Sequence, residues 1–236
     1  MRYRMESRVR YSEADDKGRL TLPDLVDYFQ DVATFHSEDT GFKNKTLREK
    51  RMGWFILTWE IRLNEMPAMG ENIYIDTWSA GYKSLMAYRD MQVSSTGGKV
   101  YADAHSIWTL MDLNRMVPIR VPQEMKDAYG EDEPLAGEWG PRKVPTPEDL
   151  SKVYDFRVSP MHLDTNHHMN NKYYVEAAAK CLPEDFKIGR IRVEYRKQAV
   201  LNDVVTVSKR VGDDMTAVAL LSESGDIYSV AEFYGA

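Results

Sequence analysis

VPQEMKDAYGEDEPLAGEWGPRKVPTPEDL, residues 121–150, divides the chain. The stretch holds five of the ten prolines, carries the acidic run Glu131-Asp132-Glu133, and shows little apolar periodicity. Such a composition breaks helices and strands alike and reads as a linker. On either side of it the same order of elements appears: an irregular polar segment, one long helix, then a series of strands. Repetition of that order implies an internal duplication, with residues 1–121 as one domain, 122–150 as the linker and 151–236 as the other domain.

In the first half, Thr21-Leu22-Pro23-Asp24 reads as a helix start: a hydroxyl that caps, an early proline, and a carboxylate at the positive end of the helix dipole. The helix runs to about residue 39, ahead of Gly41, and places Leu25, Phe29, Val32 and Ala33 on one face. That stripe needs an apolar partner. Segments 54–63, 72–78, 85–94 and 99–111 supply one, being rich in β-branched and aromatic residues, with Gly97-Gly98 as the hairpin turn between the last two. The chain before the helix is also strand-like.

The second half repeats the plan in a shorter span. A helix is expected over about 171–182 and strands near 188–196, 204–211, 215–222 and 227–233, the last three separated by Gly212-Asp213-Asp214 and Ser224-Gly225-Asp226. Glu60-Ile61-Arg62 and Glu194-Tyr195-Arg196 stand at equivalent places, a short echo of the larger repeat. One helix covering a face of a four-stranded antiparallel meander is an α+β unit. A single unit leaves a sheet edge open to pairing, and tandem duplication lets one chain cover it. The expected architecture is two tandem hotdog domains, each a long helix packed on an antiparallel sheet, with the sheets joined edge to edge.

Composition narrows the function. The chain is 43% hydrophobic, but its apolar runs are short and broken by charge, far from the roughly 18 residues a membrane span needs. The N-terminal residues lack an apolar signal segment and a transit-like composition, so a cytoplasmic location is expected. A net charge of −6 argues against general nucleic-acid binding. Cys181 is the single cysteine, which excludes an intrachain disulfide and a cysteine-based zinc site. It falls near the C-terminal end of a predicted helix, where the dipole disfavours a thiolate, and reads as a small buried residue.

The densest chemistry lies just before the second helix, in Asp164-Thr165-Asn166-His167-His168-Met169-Asn170-Asn171. A carboxylate, two imidazoles and three amides occupy eight residues. Asn170 or Asn171 makes a plausible N-cap, which brings the helix's unsatisfied N–H groups and positive dipole end beside these side chains. An oxyanion is stabilised in such a place, and a nearby carboxylate or imidazole can activate water. The plainer reading is a turn rich in Asp and Asn because those residues cap and tolerate left-handed geometry. His162, His167 and His168 match no standard zinc spacing, so neither a metal nor a cofactor is expected.

Asp164-x-Asn166-x-His168-x-Asn170-Asn171-x-x-Tyr174 resembles the central motif of the acyl-ACP thioesterases of plant plastids and bacteria. The similarity extends to Asp16-Lys17-Gly18-Arg19-Leu20-Thr21, Asp31-Val32-Ala33, Gly70-x-x-Ile73-x-Ile75-Asp76-Thr77-Trp78, Ser106-Ile107-Trp108 and Val193-Glu194-Tyr195-Arg196, in order and spacing. The resemblance implies a double hotdog whose N-terminal half binds the acyl chain and whose C-terminal half hydrolyses the thioester of fatty acyl-ACP, releasing fatty acid and holo-ACP in fatty acid biosynthesis. By motif, Asp164, Asn166 and His168 are the catalytic set: Asp164 orients or acts alongside His168, and Asn166 holds the thioester or water. Plant members place Glu-Cys after the Glu-Tyr-Arg strand where this chain has Gln198 and Ala199. An amide there positions water but cannot take its proton, so base catalysis shifts to Asp164 and His168.

Substrate contacts are expected from Gln198, Asn170, Asn171, Trp54 and Trp78; for the tryptophans, plain core packing is the competing reading. Residues 43–51 (KNKTLREKR) gather Lys43, Lys45, Arg48, Lys50 and Arg51 against one glutamate, a surface suited to docking an acidic carrier protein. The partners expected are acyl carrier protein with its phosphopantetheine-linked acyl chain and a second copy in a homodimer, with no nucleic acid and no membrane. Rival functions are an acyl-CoA thioesterase, a hotdog hydratase or dehydratase, and a non-catalytic acyl-thioester sensor; the last would need a DNA-reading segment that the sequence lacks. His36 and His105 fall within predicted elements and read as structural.

Overall fold

A computed structural model of the protein describes residues 2–236. The chain divides into two compact units, the first ending at Gly140 and the second spanning Pro141–Ala236.

In the first unit, β1 (Tyr3–Arg8), α1 (Leu22–Asp39), α2 (Asn44–Glu49), β2 (Met52–Leu63), β3 (Asn72–Lys83), β4 (Met86–Ser95), β5 (Val100–Asp112), β6 (Val117–Ile119) and α3 (Gln123–Tyr129) follow in order. The sheet runs β1-β3-β4-β5-β2, antiparallel throughout, with β6 also pairing β5. This departs from a simple meander. Only β3, β4 and β5 follow one another; β2 lies beyond β5 because the 64–71 connection is too long for a tight hairpin and carries the chain to the other edge.

α1 starts as its sequence dictates, with Thr21 Oγ1 accepting the Asp24 N–H. Leu25, Phe29 and Val32 are fully buried, and Phe29 packs 5.7 Å from the Trp59 ring in β2. Strand alternation then sorts β3. Thr77 faces the helix side, since its Oγ1 accepts from Arg89, which also reaches His36 of α1. Trp78, its neighbour, therefore faces the opposite side.

The stretch read as a linker is not free chain. Its first part forms α3, whose Met125 and Tyr129 are buried with Leu47, Ala87 and Leu110. Residues 131–140 then cross the outer face of the first sheet. The Asp132 N–H donates to the Ser79 carbonyl, Leu135 N–H to Asp90 Oδ2 and Gly140 N–H to Glu60 Oε2, while Trp78 Nε1 and Arg62 donate to the Glu133 and Glu138 carbonyls.

In the second unit, β7 (Ser151–Arg157), α4 (Asn171–Ala179), β8 (Ile188–Tyr195), β9 (Val204–Val211), β10 (Met215–Leu221) and β11 (Ile227–Gly235) form the order β8-β11-β10-β9-β7, again antiparallel, with α4 contacting β10 and β11. α4 is shorter than the sequence suggested, because Pro183 bars continuation. Val144 N–H donates to Glu194 Oε2 at 3.1 Å, and Arg196 bridges Glu194, the Val144 carbonyl and Thr146 Oγ1. The two Glu-x-Arg tripeptides thus do the same job: in each unit a buried glutamate and an arginine two residues on hold the chain that crosses the sheet. Both units are α+β, a long helix on an antiparallel sheet. Among the described residues, no helix is long and apolar enough to cross a membrane.

Candidate active site

Ahead of α4 the chain makes a short 3-10 turn, Pro160–His162, then closes a tight loop as Leu163 pairs with Met169. Asp164 holds the loop together. Its Oδ1 accepts the backbone N–H of Asn166 at 2.7 Å and of His168 at 3.2 Å. Asp164 N–H donates to the His168 carbonyl at 2.8 Å, and His167 N–H to the Asp164 carbonyl at 3.0 Å. A short carboxylate two bonds from its own backbone is suited to this, which is why Asp favours such turns.

The loop is pinned to the segment after β8. Met169 N–H donates to the Ala199 carbonyl at 2.8 Å, the buried Tyr174 of α4 takes the Ala199 N–H on its hydroxyl at 2.8 Å, and His168 pairs with Val200. Burial pushes the Tyr174 phenol up, so it stays protonated. Gln198, adjacent to Ala199, stands exposed at this edge. Asn170 caps α4, its Oδ1 accepting the Lys172 N–H at 3.0 Å. The structure therefore brings Asp164, Asn166 and His168 together with the Gln198 loop at the helix start.

His168 is the chemically unfinished member. Its Nδ1 is shielded from solvent and makes no hydrogen bond among the described residues. Leaving such a nitrogen unsatisfied costs about 1–3 kcal/mol, which sets His168 apart within the turn. Asp164, by contrast, spends an oxygen on two amides, which makes it a residue that shapes the turn.

The first unit contains the same turn. Oδ1 of Asp15 accepts the N–H of Lys17 at 3.0 Å and of Arg19 at 2.8 Å, Asp15 N–H donates to the Arg19 carbonyl at 2.8 Å, and Gly18 N–H to the Asp15 carbonyl at 3.0 Å. Gly18 has φ 69° where His167 has φ 63°, and Thr21 caps α1 as Asn170 caps α4. Only the side chains differ: Lys17 and Arg19 stand where the second turn has Asn166 and His168, and Arg19 is bonded to the Met66 carbonyl. Sequence reading missed this pair, since the two loops share little beyond the aspartate; the cap residue at equal distance was the available signal.

The remaining expected residues separate. His162 accepts the Ser159 N–H on Nδ1 and sits edge-on to Tyr173 and Phe156, with burial lowering its pKa. His167 is exposed at a left-handed position. Asn171 uses its carbonyl to accept from Tyr195. Trp54 is partly buried on the helix side, donating to the Tyr129 hydroxyl at 3.3 Å. Trp78 does not fit a substrate role: it is fully buried on the opposite face, with Arg2 over its ring and its N–H spent on Glu133. Lys43, Lys45, Arg48, Lys50 and Arg51 are all exposed on and around α2, which Leu47 anchors.

Residues 1–129 match the family model described as Acyl-ACP thioesterase N-terminal domain, and residues 146–230 that described as Acyl-ACP thioesterase C-terminal domain. The chain is 24% identical over 224 residues to the chloroplastic oleoyl-acyl carrier protein thioesterase 1 of Arabidopsis thaliana, covering 86% of this chain and 62% of the relative. To the palmitoyl-acyl carrier protein thioesterase of Gossypium hirsutum it is 25% identical, covering 80% and 51%. It spans less than two thirds of both relatives' length. Among solved structures, an acyl-ACP thioesterase from Bacteroides thetaiotaomicron superposes with a TM-score of 0.90 at 24% identity, covering 99% of this chain and 97% of that one. A 12:0-ACP thioesterase from Umbellularia californica gives 0.85 at 18%, covering 99% and 96%.

Proposed function

Because the chain belongs to the acyl-ACP thioesterase family, we propose that it hydrolyses fatty acyl thioesters of acyl carrier protein to free fatty acid and holo carrier protein. The observation that carries this reading to the site is the contrast between two geometrically equal turns, of which only the second bears an amide and an imidazole with an unsatisfied, solvent-shielded nitrogen.

His168 takes a proton from water as its oxygen attacks the thioester carbonyl, and returns it to the sulfur as the carbon–sulfur bond breaks. Asn166 stabilises the oxyanion, with the positive end of the α4 dipole beside it. Asp164 positions both residues through their backbone and also accepts from the Asn166 side-chain amide at 3.4 Å, and Gln198 orients the water. One Asp164 oxygen is held by two backbone N–H groups and the other by the Asn166 side-chain amide, which favours attack by water over a covalent anhydride on Asp164.

In this reading the first unit receives the acyl chain beside Trp54, and the exposed basic residues of 43–51 dock the acidic carrier. The protein works in the cytoplasm, as its single free cysteine suits, and a homodimer is its expected assembly. Thiol release from a series of acyl carrier protein thioesters, with wild type, Asn166→Ala and His168→Ala, tests the proposal. A loss of roughly 100-fold or more in kcat for His168→Ala is expected; full turnover in both variants, or double-bond hydration in place of thiol release, would overturn it.

A further inference from the structure

Arg89 of β4 carries a positive charge into the space between α1 and the first sheet and, among the described residues, pairs with no carboxylate there. Its Nη1 is 2.9 Å from His36 Nδ1 and donates to Thr77 Oγ1 at 3.0 Å, and its guanidinium lies 5.3 Å from the centre of the Tyr129 ring. These partners are neutral. To accept from Arg89, His36 Nδ1 must be unprotonated, and burial together with Arg89 itself pushes the His36 pKa down to about 3. Burial also pushes the nearby Tyr82 phenol up, leaving it uncharged. The adjacent acid, Asp90, is engaged elsewhere, by His105 and the Leu135 N–H.

An arginine keeps its charge even when burial opposes it, and a charge withdrawn from water is normally paired. Among the described residues Arg89 has no carboxylate partner, and its Nε and Nη2 donate to nothing. Arg89 as a whole is half-buried, and its Nε and Nη2 are not among the solvent-shielded polar atoms without a partner, so a ligand atom can reach them. Its neighbours Tyr129 and Tyr82 belong to the apolar cluster of Leu47 and Leu110, against which Phe42, Trp54 and Trp108 also pack, partly buried. Apolar side chains beside one cation without a counter-charge fit a hydrocarbon chain that carries oxygen at its far end.

We propose that Arg89 anchors an oxygen function, a hydroxyl or carboxylate, on the distal end of the acyl chain, so that the enzyme prefers oxygenated acyl thioesters over plain ones of equal length. The proposal rests on the thioesterase reading above. A charge-assisted hydrogen bond that only the oxygenated chain can form supplies the preference, and the plain chain must bury the same guanidinium unsatisfied.

The test loads acyl carrier protein with straight-chain, ω-hydroxy and ω-carboxy acyl groups of matched lengths and follows thiol release by wild type, Arg89→Met and Arg89→Lys. Wild type should favour an oxygenated chain in kcat/KM by roughly tenfold or more, with Arg89→Lys keeping part of that ratio. In Arg89→Met the ratio should fall to about one through loss of the oxygenated substrate alone. The better of the two oxygenated series identifies the group. Equal rates in wild type at every length, or an unchanged ratio in Arg89→Met, overturn the proposal and leave Arg89 as a cation held by aromatic faces. Calorimetry of wild type with free ω-hydroxy, ω-carboxy and plain fatty acids gives an independent reading should Arg89→Met not fold. No thiol release from any substrate would instead defeat the thioesterase reading, and the calorimetry would still decide the Arg89 site.

Discussion

Asp15 and Asp164 close one turn twice: each carboxylate Oδ1 accepts the backbone N–H groups two and four residues further on, at 3.0 and 2.8 Å in the first unit and 2.7 and 3.2 Å in the second. Alanine at either position should cost a similar stability, about 1 kcal/mol, read as a shift in the denaturation midpoint. Only Asp164→Ala should also lower kcat, by roughly 100-fold, through displacement of Asn166 and His168. Asp164→Asn keeps an oxygen that accepts both amides and should stay within about tenfold of wild type. If asparagine proved as damaging as alanine, the carboxylate itself would belong to the chemistry.

His167 occupies the position that Gly18 fills in the first turn, at φ 63° against 69°. Glycine adopts that conformation without the roughly 1 kcal/mol penalty of a side chain there, while losing a similar amount of chain entropy. His167→Gly should therefore leave the melting temperature and thiol release near wild type. A collapse of turnover in this variant would show that the second imidazole takes part.

Charge reversal at Lys43, Lys45 and Arg48 should raise KM for carrier-bound substrate and leave short coenzyme A esters nearly unchanged. The effect should shrink as salt screens exposed charges over a Debye length of about 8–10 Å. Equal effects on both substrate types would remove α2 as a docking element.

His36, 3% exposed, is kept neutral in the fold, with a pKa of about 3 against 6.5 in the open chain. The folded state therefore binds fewer protons than the unfolded state across that interval. Stability from this group is complete above pH 6.5 and is lost as pH falls toward 3, by at most ~1.4 kcal/mol per pH unit. Asp39 opposes the shift and Arg89 reinforces it. In His36→Gln, whose amide oxygen still accepts from Arg89, urea midpoints between pH 6.5 and 4 should fall less steeply than in wild type; parallel curves would contradict the assignment.

Elements that bury a regular stripe were legible in the sequence. Thr21, Pro23 and the Leu25, Phe29, Val32 face define α1, and 204–211 reads as a strand from its β-branched residues and the Gly212-Asp213-Asp214 turn after it. Elements with little to bury were not. α2 buries only Leu47, and α3 offers only Met125 and Tyr129 to the core. Strand order lay out of reach because a 64–71 connection does not state which edge it leads to. At the site, the residue types of Asp164, Asn166 and His168 were visible, whereas the division of labour among them depends on backbone hydrogen bonds that a string of letters does not contain. Trp78 was misplaced because one step along a strand changes faces.

The crossing segment 131–150 also bears on where this chain tolerates being cut. Its prolines and glycines invite a protease site, a tag or new termini, yet the amides of Leu135, Gly140 and Val144 are bonded to acidic side chains that are themselves buried. Severing it would strand the carboxylates of Asp90, Glu60 and Glu194 under the surface without their donors. Gly97-Gly98, an exposed tip between two hairpin strands, is the better place for permutation or insertion.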